Sequence, residues 1–152
     1  KLDQGDYDAI VIAACGLIRL GLEERITEYL ELSHMLPEPG QGALAVEARA
    51  DDRAIIDLVS VLEDPISRSC VEAERAFLRA LGGGCRVPIA AYASCADGTL
   101  RLEGRVIAEN GSRQIQGSLN GPMTEPIALG EELARRLITK GAKLLLSICR
   151  EA

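Results

Sequence analysis

The hydrophobic period of this chain changes from about 3.6 residues to 2 after residue 85, and this change limits the possible folds more than any other feature. Three segments with alternating apolar and polar residues follow, separated by the hairpin dipeptides Asp97-Gly98 and Asn110-Gly111. Their apolar positions are Val87, Ile89, Ala91, Ala93 and Cys95; then Leu100, Leu102, Gly104 and Val106; then Ile115, Gly117 and Leu119. The sequence therefore predicts a three-stranded antiparallel meander with one apolar face.

Helical patterns lie on both sides of this meander. Apolar spacing predicts helices over residues 52–63, 65–81 and 126–140, the last continuing over 141–149, with Asp64 as N-cap and Pro65 at the first helical position. In the second helix we expect one face to be buried (Ile66, Cys70, Ala73, Phe77, Leu81) and the other to be solvated (Arg68, Glu72, Glu74, Arg75, Arg79). The helices at 65–81 and 126–149 would cover the apolar face of the sheet, which predicts an α+β domain over residues 52–152.

The first fifty residues have a different pattern. Residues 7–14 form a continuous apolar run, typical of a strand in a parallel sheet, and helical segments over 16–22 and 23–29 follow. One strand and a short helix cannot form a parallel sheet, so we expect the chain to be the C-terminal part of a longer protein. Pro37 and Pro39 predict a linker, and residues 43–47 a further strand.

Composition excludes several classes of protein. With a formal net charge of −6, no basic cluster and four aromatic residues, the chain lacks the features of a nucleic-acid-binding protein. It has no apolar run of membrane-spanning length and no export leader. Five widely spaced cysteines without a Cys-x-x-Cys motif, and a single histidine, make a metal site improbable. We expect a monomer with reduced thiols in the cytoplasm.

Two glycine-rich segments are candidate sites. The run Gly82-Gly83-Gly84-Cys85 is explained either by a helix C-cap followed by a small apolar cysteine, or by a loop that leaves the Cys85 thiol accessible. Gln41 lies between Gly40 and Gly42, and its amide suits a polar ligand contact, although a tight strand entry explains these glycines equally well.

Three ordered segments carry a resemblance to a known family. YDAIVIAACGLIRLGL, LPEPGQGALAVEAR and ERAFLRALGGGCRVPIAAYA resemble, in this order, the C-terminal half of hydroxymethylbilane synthases, also called porphobilinogen deaminases. The most specific part is the segment from residue 74 to residue 90. The sequence departs from the family at Gly82, where the family usually carries Glu.

The resemblance implies a function. Members condense four porphobilinogen units, with release of ammonia, into the linear tetrapyrrole hydroxymethylbilane, on a dipyrromethane cofactor joined by a thioether to one cysteine. That cysteine corresponds to Cys85, and Gln41 and Arg86 would contact the cofactor or the growing polypyrrole. The substrate-binding arginines and the catalytic aspartate would lie in N-terminal domains outside this chain, so that this part alone would be inactive.

The resemblance also implies an organisation into domains. Residues 1–32 would be the tail of a second α/β domain, similar to periplasmic binding proteins. Residues 33–50 would be a hinge crossover and a strand returning to the first domain, and residues 52–152 the cofactor-carrying third domain. We expect Pro37, Pro39, Gly40 and Gly42 to allow the domains to shift as the product lengthens.

Two other functions remain open at the level of sequence. The α+β domain is also compatible with a regulatory or interaction module in which Cys85 has no chemical role. A cysteine next to Arg86 is also compatible with a thiol redox switch, since the cation would lower the pKa of the thiol.

Overall fold

A computed structural model describes residues 1–83 and 88–148, with side chains described as far as residue 146. The chain divides into two compact units, Lys1–Met35 and Leu36–Ala152. Of the helices within the described ranges, none has the length and apolar character needed to cross a membrane.

The predicted meander is confirmed. Strands β1 (Ile89–Ala96), β2 (Thr99–Ile107) and β3 (Gln114–Pro122) form one antiparallel sheet in the order β1-β2-β3. Asp97 and Gly98 both have positive φ, 50° and 72°, as expected for a tight hairpin between β1 and β2. Ala91, Gly104 and Gly117 are paired across the three strands on the apolar face.

The helices of the second unit are also confirmed, with slightly shorter bounds than predicted. They are α2 (Arg53–Ser60), α3 (Pro65–Ala80), α4 (Pro126–Thr139) and α5 (Ala142–Ile148), while α1 (Ala14–Arg19) lies in the first unit. Asp64 caps α3 by accepting a hydrogen bond from the Ser67 N–H at 2.7 Å, and Asp52 caps α2 through the Ile55 N–H at 3.1 Å. Helices α3 and α4 contact each other and the sheet.

The core lies between α3, α4 and the sheet, and Phe77 is at its centre with no exposed surface. A Cβ atom at Gly104 of β2 would lie 2.4 Å from Cζ of Phe77, so the glycine provides the space for the ring. The predicted apolar stripe of α3 is wrong at its first position, because Ile66 in the first turn is 50% exposed. The other large, fully buried side chains are Leu100, Leu102, Leu133, Leu137 and Val106.

In the first unit, two predictions are wrong. Residues 7–14 do not form a strand; helix α1 (Ala14–Arg19) begins at the end of this run, and Val11 is 66% exposed. A strand requires a ladder partner, and no segment of residues 1–83 or 88–148 pairs with this run. The helix predicted over 23–29 is a single 3-10 turn, Glu23–Arg25, and none of residues 1–35, all of which are described, is buried.

Residues 43–47, for which the sequence predicts a strand that returns to a first domain, form no strand in this structure. This segment has no pairing partner within the described residues, and Leu44 and Val46 are 81% and 60% exposed. Helix α2 follows, and its apolar side chains are also largely exposed, including Leu58 (68%) and Leu62 (70%). Residues 43–62 therefore carry apolar surface that the described part of this chain does not cover.

Candidate functional site

The end of α3 determines where the candidate cysteine loop begins. The Gly83 N–H donates to the Leu78 carbonyl at 3.0 Å, and the Gly82 N–H donates to the Arg79 carbonyl at 2.9 Å. With Gly82 at φ +69°, these two bonds form a Schellman motif. Gly82 is therefore a helix C-cap glycine, as the first of the two sequence interpretations requires. A glycine suits this backbone conformation, and Gly82 is also the position at which the chain departs from the usual Glu of the family.

Gly83 is required for packing. A Cβ atom at this position would lie 2.6 Å from Cδ1 of Leu78 and 2.7 Å from Cδ1 of Ile89. The backbone thus passes directly against the side chains of α3 and β1 before the loop starts. Cys85 and Arg86, the predicted anchor and its neighbour, lie outside the described residues.

Gln41 lies in a turn that its own side chain closes. Its N–H donates to the Glu38 carbonyl at 3.0 Å, and its Oε1 accepts from the Glu38 N–H at 3.3 Å. The side-chain nitrogen Nε2 donates to no group in the part of the chain that the structure describes. An exposed amide donor of this kind can bind the carboxylate of a ligand.

Glu74 is a buried carboxylate, and the prediction that it belongs to a solvated face is wrong. Its residue is 7% exposed, and its Oε1 and Oε2 atoms accept hydrogen bonds from the N–H groups of Ala93 and Gly40, both at 2.7 Å. Burial raises the pKa of Glu74 above its usual value, while the two N–H donors act in the opposite direction. The spacing in the sequence was the available signal of this burial, because Glu74 lies four residues after Cys70 and three before Phe77, on the apolar stripe of α3.

Helix α3 therefore connects two of the candidate positions. The turn that contains Gln41 is tied to the middle of α3 through Gly40 and Glu74, and the cysteine loop starts at the C-terminal end of the same helix. Glu74 and the end of α3 are about 10 Å apart along the helix axis, given a rise of about 1.5 Å per residue.

The described cysteines differ in environment. Cys15 is exposed, whereas Cys70 and Cys95 are partly buried and pack against the core. Burial, followed by the charges of Cys95, Glu74 and Asp64, raises the pKa of the Cys70 thiol. No group of three or more His, Cys, Asp or Glu side chains suited to a metal ion occurs among the described residues.

Two family models match the chain in sequence order. Residues 1–57 match the model described as porphobilinogen deaminase, dipyromethane cofactor binding domain, and residues 68–139 match the model described as porphobilinogen deaminase, C-terminal domain. The description that names the cofactor thus belongs to residues 1–57, whereas position 85 lies within the range of the C-terminal domain.

Curated relatives of this chain are also named porphobilinogen deaminase. The porphobilinogen deaminase of Roseiflexus castenholzii is 48% identical over 147 residues, which cover 97% of this chain and 48% of that protein. The porphobilinogen deaminase of Thiobacillus denitrificans is 44% identical over 146 residues, covering 96% of this chain and 48% of that protein. That of Synechococcus elongatus is 47% identical over 147 residues, covering 96% and 46%. The chain spans about half the length of the curated relatives it matches.

Proposed function

Because this chain belongs to the porphobilinogen deaminase family, we propose that it forms the cofactor-carrying half of a transferase that condenses four porphobilinogen units into hydroxymethylbilane with release of ammonia. The observation that carries the proposal is the ordered match of two models of one family over residues 1–57 and 68–139. Relatives with 44–48% identity over nearly the whole chain support the same function.

Cys85 is the proposed attachment point of the dipyrromethane cofactor. A thiol is a soft nucleophile, and the thioether it forms with a pyrrole-bearing carbon resists hydrolysis better than an oxygen ester would. The family match across position 85 supports this assignment. The Schellman motif at Gly82 and the packing of Gly83 fix the backbone of the folded domain two residues before the cysteine. The bound cofactor supplies the primer on which the product is extended.

Gln41 and Arg86 are the proposed contacts of this chain with the cofactor or the growing product. Each pyrrole ring carries acetate and propionate groups, so the ligand is a polyanion that needs hydrogen-bond donors and cations. The exposed Nε2 of Gln41 provides a donor of the required type. Arg86 would supply a cation next to the attachment point.

The remaining catalytic groups are proposed to lie on polypeptide outside this chain. The chain has a net charge of −6 and spans about half of each relative, so the arginines that hold a polyanion and the aspartate that transfers protons would belong to the other half. The uncovered apolar side chains of residues 43–62, such as Leu44, Leu58 and Leu62, support burial against that half. We propose that the isolated chain is inactive for this reason.

The proposed domain division follows the family. Residues 1–32 would be the tail of an α/β domain similar to periplasmic binding proteins. Residues 33–50 would be a hinge crossover and a strand returning to the first domain, and residues 52–152 the cofactor-carrying third domain. The separation of Lys1–Met35 from Leu36–Ala152 supports a division in this region. We place the enzyme in the cytoplasm as a monomer, and the free thiol of the exposed Cys15 fits a reducing compartment.

Product formation by the full-length enzyme tests the proposal. We expect Cys85→Ser to abolish hydroxymethylbilane formation from porphobilinogen, whereas the control Cys95→Ser, a substitution at a partly buried thiol on β1, keeps it. Activity in the Cys85→Ser enzyme would favour the interaction-module alternative. Loss of activity that depends on oxidant, and is restored by a thiol reductant, would favour the redox switch.

A further inference from the structure

Two N–H groups at the free edge of β1 donate to groups outside the sheet, one to an added segment and one to a side chain. β1 is an edge strand, and its Ala91 N–H donates to the Pro37 carbonyl at 3.1 Å. Two residues further on, the Ala93 N–H donates to Glu74 instead. Along this edge, the Glu74 carboxylate therefore accepts the N–H that follows the one bonded to Pro37. We call residues 36–40 the edge segment.

The edge segment is held at both ends. At its start, Leu36 is 8% exposed. At its end, the Gly40 N–H donates to Glu74 at 2.7 Å, and Gly40 has φ +81°, a conformation that favours glycine. Pro37 and Pro39 have no N–H group, and the Glu38 N–H is bonded to Gln41. Every N–H donor of residues 37–40 therefore has an acceptor in the folded domain.

Glu74 is the group on which this arrangement depends. It is the one charged residue that is buried among the described residues, and its two oxygens serve two different parts of the chain, the edge segment and β1. A buried carboxylate that accepts two short N–H bonds is costly to disrupt, because removing it leaves two amide donors without acceptors. Glu74 also lies on α3, the helix that leads to position 85.

We propose that Glu74 is a positioning residue: it locks residues 36–40 onto β1 and α3, so that the turn carrying Gln41 stays at a fixed place relative to the start of the Cys85 loop. Bending between domains then occurs outside residues 36–40, either before Leu36 or after Gln41. This moves the flexible points away from Pro37, Pro39 and Gly40, where the proline and glycine content alone would place them. The part of the proposal that concerns Gln41 and Cys85 rests on the proposed function; the locking of residues 36–40 does not.

Amide hydrogen exchange in the intact enzyme tests the locking directly. In the unmodified protein we expect the Gly40 amide to exchange as slowly as Ala93 of β1, and the Asn110 amide in the exposed turn between β2 and β3 much faster, since its N–H donates to no group within the described residues. In Glu74→Gln, the side chain keeps one acceptor oxygen and places an NH2 group against the second N–H donor. Exchange at Gly40 or Ala93 should then rise by at least about tenfold, while Leu102 in the middle of β2 is unchanged.

The control is Glu131→Gln, which removes one carboxylate from an exposed position on α4 and should change none of these rates. Equal exchange at Gly40 and Asn110 in the unmodified protein would overturn the proposal without any variant. An equal rise at Leu102 in Glu74→Gln would also overturn it, because the effect would then be a general loss of stability.

The catalytic consequence has its own readout. In Glu74→Gln we expect a normal mass for the Cys85 peptide, so that the cofactor is loaded, together with a raised KM for porphobilinogen. An unchanged KM would overturn the role of Glu74 in positioning Gln41. Failure of the proposed function itself is distinguishable, since the unmodified enzyme would then form no product at all, while the exchange experiment would still report on the edge segment.

Discussion

Gly130→Ala tests the packing of the two helices that cover the sheet. Gly130 lies on α4, where a Cβ atom would be 2.3 Å from the backbone oxygen of Ala73 and 2.8 Å from Cβ of Ala76, both on α3. Carbon atoms in proteins do not approach a carbonyl oxygen so closely, and a backbone oxygen cannot move aside as a flexible side chain can. The substitution therefore forces α3 and α4 apart.

Two opposing effects determine the magnitude. The intrinsic helix propensity of alanine exceeds that of glycine by about 0.8–1 kcal/mol, and this difference stabilises the variant. Overpacking in a close-packed core typically costs about 1–3 kcal/mol, and contact with backbone places this site at the upper end of that range. We therefore expect a net loss of about 2 kcal/mol in the free energy of unfolding.

Urea denaturation followed by circular dichroism measures this difference. We expect the midpoint of Gly130→Ala to decrease, with an unchanged slope, relative to the original chain. Glu131→Ala, one residue further along α4 and exposed, is the matched control and should change stability by less than about 0.5 kcal/mol. If Gly130→Ala were as stable as the original chain, or more stable, the close contact of α3 and α4 at this point would be refuted.

Two further predictions concern the start of the cysteine loop and the thiols. Gly82→Ala should lower the free energy of unfolding by about 1 kcal/mol, because φ is +69° at this position, and Gly82→Asn should lose less; equal stability of all three proteins would contradict the C-cap geometry. Iodoacetamide should modify Cys70 more slowly than the exposed Cys15 at pH 8, because burial raises the pKa of Cys70, and the difference in rate should narrow as the pH rises. Peptide mass spectrometry gives both rates, and equal rates at pH 8 would contradict the buried position of Cys70.

Local pattern was sufficient to predict the α+β domain. The period-2 segments and the dipeptides at 97–98 and 110–111 predict the hairpins, and Asp64-Pro65 predicts the start of α3. Each of these signals lies within a few residues of the structure that it predicts. Residues 7–14 and 43–47 form no strand in this structure, because a strand is defined by its partner. An apolar segment without a partner within the described residues remains extended and exposed.

The candidate site was less predictable, because its contacts join distant parts of the chain. Glu74 reaches Gly40, 34 residues away, and Ala93, 19 residues away, and no local pattern indicates that a glutamate among arginines accepts bonds from two backbone segments. Its place on the apolar stripe of α3 was the one available signal. The role of Cys85 came from the resemblance of three ordered segments, since the glycines before it are explained equally well by the C-cap.

The proposed attachment of the cofactor to Cys85 is most directly tested by the mass of one peptide. The full-length enzyme is digested under denaturing, reducing conditions, and the peptide that contains Cys85 is compared with the peptide that contains Cys95. We expect the Cys85 peptide to carry the added mass of two linked pyrrole units, and the Cys95 peptide to have the mass of a free thiol. An active enzyme in which the Cys85 peptide has the mass of an unmodified cysteine would contradict attachment at Cys85.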